Sequence, residues 1–122
     1  MAFDTARGVT VLFGGYTGLS GDGRDGETWE WNGTVWNQRM VIGPAPRADH
    51  AMVYDPARAV TVLFGGSPFD AQSLTWEWNG IAWTLRSASG PLQRFWHAMA
   101  YDVGRGKTVL FGGSIRDRKS VV

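Results

Sequence analysis

Residues 28–36 read TWEWNGTVW and residues 75–83 read TWEWNGIAW, and together the two stretches hold six of the chain's seven tryptophans. A short aromatic segment written twice is either a repeated ligand platform or the packing element of a repeated unit, and the surrounding text favours the second. VLFGG occurs at 11–15, 62–66 and 109–113. AFD, VYD and AYD end at Asp4, Asp55 and Asp102, and RADHAM at 47–52 matches RFWHAM at 94–99. The first two copies are offset by 51 residues and the next two by 47. Recurrence at about 50 residues marks an array of one supersecondary unit.

Each unit reads as β. In the middle copy the strand signals fall at Ala51–Tyr54, Val60–Phe64, Leu74–Trp78 and Ile81–Leu85, rich in β-branched and aromatic residues and too short for helices. The connections carry turn chemistry: DPARA at 55–59 opens with an aspartate able to accept a backbone N–H and a proline that sets φ. The dipeptides Asn32-Gly33 and Asn79-Gly80 predict two-residue hairpins. That register sets Trp31 opposite Thr34, Glu30 opposite Val35 and Trp29 opposite Trp36. Trp29, Trp31 and Trp36 then share one face of the sheet, as do Trp76, Trp78 and Trp83. The double glycines Gly14-Gly15, Gly65-Gly66 and Gly112-Gly113 predict positive φ or close backbone approach. No helix or suitably placed lysine makes them a phosphate loop. The unit is a four-stranded antiparallel meander.

Bulk properties narrow the partners. The 122 residues, 43% hydrophobic and 19% charged, are a globular composition. A net charge of +1 gives no field to attract nucleic acid, and no apolar run approaches the ~18 residues of a membrane span. MAFDTARGVT does not read as a signal peptide. The absence of cysteine removes thiolate chemistry from this segment and names no compartment.

Four strands in about 50 residues, a double glycine ending the second, tryptophans in the third and fourth, and Arg-x-x-His opening the next unit resemble the kelch repeat of β-propellers. The wording VLFGG, TWEWNG and a following Trp is especially similar to bacterial kelch proteins of the galactose oxidase-like type. The resemblance implies an all-β chain forming a partial propeller arc of about two and a half blades: an incomplete blade at 1–40, a complete one at 41–88 and half a blade at 89–116. A kelch ring needs more than about 200 residues, so the resemblance makes this chain a fragment whose bare blade faces self-associate. After Gly113 the text SIRDRKSVV loses the pattern. Residues 117–122, DRKSVV, resemble a reading frame of a sequencing adapter; the alternative is a solvated basic tail.

Chemical constellations are sparse. His50 and His97 occupy one repeat position, which reads as structural hydrogen bonding rather than a catalytic pair. Galactose oxidase chemistry needs a Tyr-Cys cross-link and cannot be carried onto a cysteine-free chain. The loop 20–27 gathers Asp22, Asp25 and Glu27, but the spacing fits neither a calcium loop nor an Asp-box, so no metal or cofactor is expected. Asn32-Gly33-Thr34 matches a glycosylation acceptor, yet Asn79-Gly80-Ile81 keeps the turn without it. The resemblance places recognition on the loops joining strands two and three and on the connections between blades. Candidate contacts are Tyr16, Asp22, Arg24, Arg39, Phe69, Asp70 and Arg86, while Arg47 and Arg94 brace neighbouring blades. Two functions stay open. One is a non-enzymatic scaffold binding a protein or other macromolecule. The other is part of a secreted carbohydrate-active or carbohydrate-binding protein whose active residues lie in further blades.

Overall fold

A computed structural model describes residues 1–18, 21–68, 74–87 and 90–115. Among them are ten strands in three antiparallel sheets and no helix. Strands β1 (Ala2–Asp4), β2 (Val9–Tyr16), β3 (Arg24–Trp31) and β4 (Trp36–Arg39) form the first sheet in sequence order. Strands β5 (Ala51–Asp55), β6 (Val60–Phe64), β7 (Thr75–Trp78) and β8 (Trp83–Ser87) form the second. Strands β9 (Phe95–Asp102) and β10 (Lys107–Ser114) form a two-stranded third. The tail at 117–122 lies outside the described residues.

The first turn of each unit is built by its aspartate. Asp4 Oδ1 accepts from the backbone N–H groups of Ala6 and Arg7, both at 3.0 Å, and Asp55 Oδ1 accepts from Ala57 and Arg58 at 3.0 and 3.1 Å. Each turn thereby presents an arginine to the glutamate of the third strand. Arg7 reaches Glu30 at 2.5 Å and Arg58 reaches Glu77 at 2.5 Å.

The tryptophan hairpins differ from the two-residue turns that Asn-Gly predicts. Trp31 pairs with Trp36, and Trp78 with Trp83, so four residues connect the strands. The asparagine side chain is the reason. Asn32 Oδ1 accepts from the N–H groups of Thr34 and Val35 at 2.8 and 2.9 Å, and Asn79 Oδ1 does the same for Ile81 and Ala82. Such Asx bonding competes with a tight backbone turn, and only the glycine of each pair takes positive φ. Ile81 and Ala82 are accordingly turn residues, and β8 begins at Trp83. The slip is by two residues, which preserves the faces: Trp29, Trp31 and Trp36 still project together.

The second sheet stacks on the first so that its tryptophan face covers the glutamate face of the first. Trp78 and Trp83, 1% and 8% exposed, join Val11, Phe13, Met52 and Leu63 in the core. Trp78 Nε1–H donates to Glu30 Oε2 and Trp83 Nε1–H to Thr28 Oγ1, each at 2.9 Å. The Trp83 ring meets Phe13 edge-on at 5.4 Å. Burial opposes the charge of Glu30, but bonds from Arg7, Trp78 and Arg39 outweigh it and hold the carboxyl below its ordinary range. In the first sheet the equivalent Trp36 is exposed and Trp31 half-buried.

The double glycines mark where the next unit's Arg-x-x-His segment crosses. Gly15 N–H donates to Arg47 O and Gly66 N–H to Arg94 O, both at 2.8 Å. A Cβ on Gly65 would stand 2.3 Å from Arg94 O, and one on Gly14 would stand 2.6 Å from Arg47 O. Arg47 and Arg94 then send Nη1–H to the carbonyls of Gly65 and Gly112, at 3.0 and 3.1 Å. His50 and His97 stand edge-on against Phe13 and Phe64.

Candidate functional site

The end of the sheets that carries the β2–β3 connection brings three of the candidate contact residues together. Arg24 opens β3, and its guanidinium pairs with Asp22, whose Oδ1 also accepts the Arg24 backbone N–H at 3.0 Å. These bonds, the backbone one first, hold the Asp22 carboxyl below its ordinary range. The same guanidinium lies 5.5 Å from the ring centre of Tyr16, which is 60% exposed. Arg24 Nε–H donates to Ser67 Oγ at 3.3 Å, crossing from the first unit to the second.

Ser67 extends this surface inward. It forms an isolated bridge with Ala48, and its hydroxyl lies 3.5 Å from Asp49 Oδ2. Asp49 and Trp96 sit 47 residues apart at one repeat position, just before each histidine, and both have left-handed backbones with φ of 61° and 60°. Trp96 N–H donates to Asp49 O at 3.0 Å, and the indole is 58% exposed. Positive φ is uncommon for non-glycine residues and an outlier for one as bulky as tryptophan, and the surrounding structure must impose it. The crossing bonds described above do so, since Arg47, Ala48 and Arg94 are tied to the glycine strands on either side.

No protein-family model matches the chain, and no curated protein matches it either.

The surface offers the exposed Tyr16 ring beside the Arg24 guanidinium and the Asp22 carboxylate, groups suited to hydrogen bonding and stacking. The two histidines are engaged elsewhere: burial pushes His50 down to about 4 and also lowers His97, whose Nε2 lies 2.8 Å from Phe64 O. Among the described residues no group of three or more His, Cys, Asp or Glu is placed to hold a metal.

The remaining candidates fall elsewhere. Arg39 pairs with Glu30 at 2.8 Å and lies 5.3 Å over Trp78, and Arg86 reaches Glu77 at 3.3 Å, so both belong to the glutamate faces of the sheets. Phe69 and Asp70 lie outside the described residues. Sequence reasoning placed Ser67 only as the first residue of the second unit's recognition loop, 67–73, and missed Asp49 and Trp96. A usable signal existed in the pair RADH and RFWH, where the residue before the histidine changes from acid to indole inside a constant frame.

Proposed function

We propose that the chain is part of a non-enzymatic kelch-type β-propeller that binds a protein or other macromolecule through the surface around Tyr16, Arg24 and Trp96. The single observation that carries this reading is a chain of contacts in which the exposed Tyr16 and the Arg24–Asp22 pair of the first unit are tied through Ser67 to Asp49 of the second, whose backbone carbonyl accepts from Trp96 of the third. The propeller reading draws support from two successive unit junctions that repeat the same glycine-to-arginine bond. It also draws support from the one-way stacking of tryptophan face on glutamate face. Its bare sheet faces would make the isolated chain prone to self-association.

The test is photo-crosslinking from position 16 in native extract, comparing the parent chain with Arg24→Ala and Trp96→Ala. Capture of one discrete protein that falls with either substitution is the expected result. Glycan-array binding that depends on Tyr16 or Trp96, without protein capture, would replace it with the carbohydrate reading. The contiguous gene supplies an independent check, since further units at the 47-residue spacing are expected in it, and a flank without them would remove the propeller.

A further inference from the structure

His50 and His97 close the Arg-x-x-His segments that cross the double glycines, and each directly follows a left-handed residue of the recognition surface, Asp49 with φ of 61° and Trp96 with φ of 60°. His97 Nε2 lies 2.8 Å from Phe64 O, and His50 has the matching hydrogen bond to the Phe13 backbone. A carbonyl oxygen only accepts, so Nε2 of His97 carries the hydrogen and the neutral ring presents Nδ1 as a bare lone pair. Nδ1 of both rings is buried and has no hydrogen-bond partner among the described residues.

Protonation therefore places an N–H and a positive charge where no acceptor waits. The charged groups around the rings add to the cost. Arg47, His97 and the Met1 amino group face His50, and Arg94 faces His97. The neighbouring Asp49 carboxylate is turned to Ser67 Oγ at 3.5 Å, and among the described residues no ion pair joins either ring to a carboxylate. Nor is there slack in the packing, since a Cβ on Gly65 would stand 2.6 Å from His97 Cε1 and one on Gly66 would stand 2.9 Å from His50 Cβ. A charged ring is relieved only by leaving the junction. The residue before it moves with it, and a left-handed backbone imposed by its surroundings relaxes once they part.

We propose that His50 and His97 are acid-sensitive positioning residues, which hold Asp49 and Trp96 in the recognition surface while neutral and release them by swinging out of the unit junctions when protonated. The Trp96 N–H bond to Asp49 O, at 3.0 Å, couples the two releases. The functional sense of the release rests on the recognition reading above, whereas the opening itself is a property of the fold alone. Burial, above the other causes, makes the folded chain select the neutral rings, so the surface is held at neutral pH and opens as pH falls. A His50 ring that titrates at about 4 when seated and at 6.5 when free raises the opening equilibrium roughly 60-fold between pH 7 and 4.5.

Native-state hydrogen exchange of the intact, isotope-labelled chain, followed by NMR, tests this without any partner. The reporters are Gly15 N–H, which donates to Arg47 O ahead of His50, Gly66 N–H, which donates to Arg94 O ahead of His97, and Trp96 N–H. After correction for intrinsic rates, protection at Gly15 and Trp96 should fall roughly 60-fold from pH 7 to 4.5. The accelerated exchange should depend little on added urea, the mark of local opening. His50→Gln should remove the fall at Gly15 and keep the one at Gly66. Protection that stays constant with pH overturns the proposal. Acid-induced exchange with the full urea dependence of whole-chain unfolding overturns it too, as does a fall at Gly15 that persists in His50→Gln. If His50→Gln does not fold, the urea dependence of the parent decides alone. Local opening in a chain that captures no protein would uphold the positioning role and remove only the recognition reading.

Discussion

Gly65 and Gly112 occupy the same place in successive units and have the same backbone, with φ of 76° and 77°, yet they differ in what lies beside them. A Cβ on Gly65 would meet Arg94 O at 2.3 Å and His97 Cε1 at 2.6 Å, while one on Gly112 would meet nothing within 4 Å among the described residues. Alanine at either site carries the left-handed penalty of about 1–2 kcal/mol. At Gly65 the contact with Arg94 O is about 1 Å shorter than the 3.4 Å where ordinary contact begins, and the obstacle is backbone that cannot rotate away. Relieving it separates Gly66 N–H from Arg94 O and disturbs the His97 bond to Phe64 O, both now 2.8 Å. Two hydrogen bonds at about 1 kcal/mol each add about 2 kcal/mol. Gly65→Ala should therefore cost about 3–4 kcal/mol and Gly112→Ala about 1–2, a difference of roughly 30-fold in the folding constant. Urea unfolding followed by circular dichroism, with matched m-values, measures both. Equal losses would mean that the motif needs glycine for its φ alone and that the close crossing of the next unit plays no part.

Two further outcomes are expected. His50 is held neutral, with its pKa at about 4 against an ordinary 6.5, chiefly by burial; the unfolded chain binds the extra proton, so stability is full above about pH 6.5 and falls as pH drops towards 4. The loss is about 3 kcal/mol, and urea midpoints for the parent and His50→Gln between pH 7 and 4.5 should converge in acid, parallel curves refuting the assignment. Trp83→Ala, at a side chain 8% exposed, should cost about 3–5 kcal/mol. Trp36→Ala, at the matching position 44% exposed, should lose only its cross-strand pair, about 1 kcal/mol; similar melting losses for the two would contradict the one-way stacking.

The repeat was legible because it is written in residues whose conformational demands are strong. Double glycines, aspartate-led turns and tryptophan strands announced the four-stranded units, and the structure places β5, β6 and β7 close to the spans expected for the middle copy, with β8 starting two residues late. The hairpin register was not legible, because Asn-Gly serves two turn geometries and the choice depends on whether the asparagine side chain bonds to its own loop. The roles of Arg39 and Arg86 were equally hidden, since a loop-flanking arginine looks the same whether it faces solvent or a buried glutamate. Tyr16, Asp22 and Arg24 were chosen from loop position, and the structure brings these three side chains together. Asp49 and Trp96 escaped because their left-handed backbones come from hydrogen bonds to segments distant in the chain, which local sequence does not encode.

The stacking rule gives the array a direction. The first two sheets each have an indole side and a carboxylate side, and an indole of the second is the hydrogen-bond donor for the carboxylate of the first. Two like ends brought together would set ring against ring or acid against acid, so a two-fold symmetric pairing through these faces is disfavoured at both ends. Stacking through these faces is head-to-tail, as the second sheet stacks on the first, and head-to-tail contacts in general either close into a ring or run on as a fibre. The angle between successive sheets, rather than the strength of any one contact, therefore separates a soluble closed body from an open polymer.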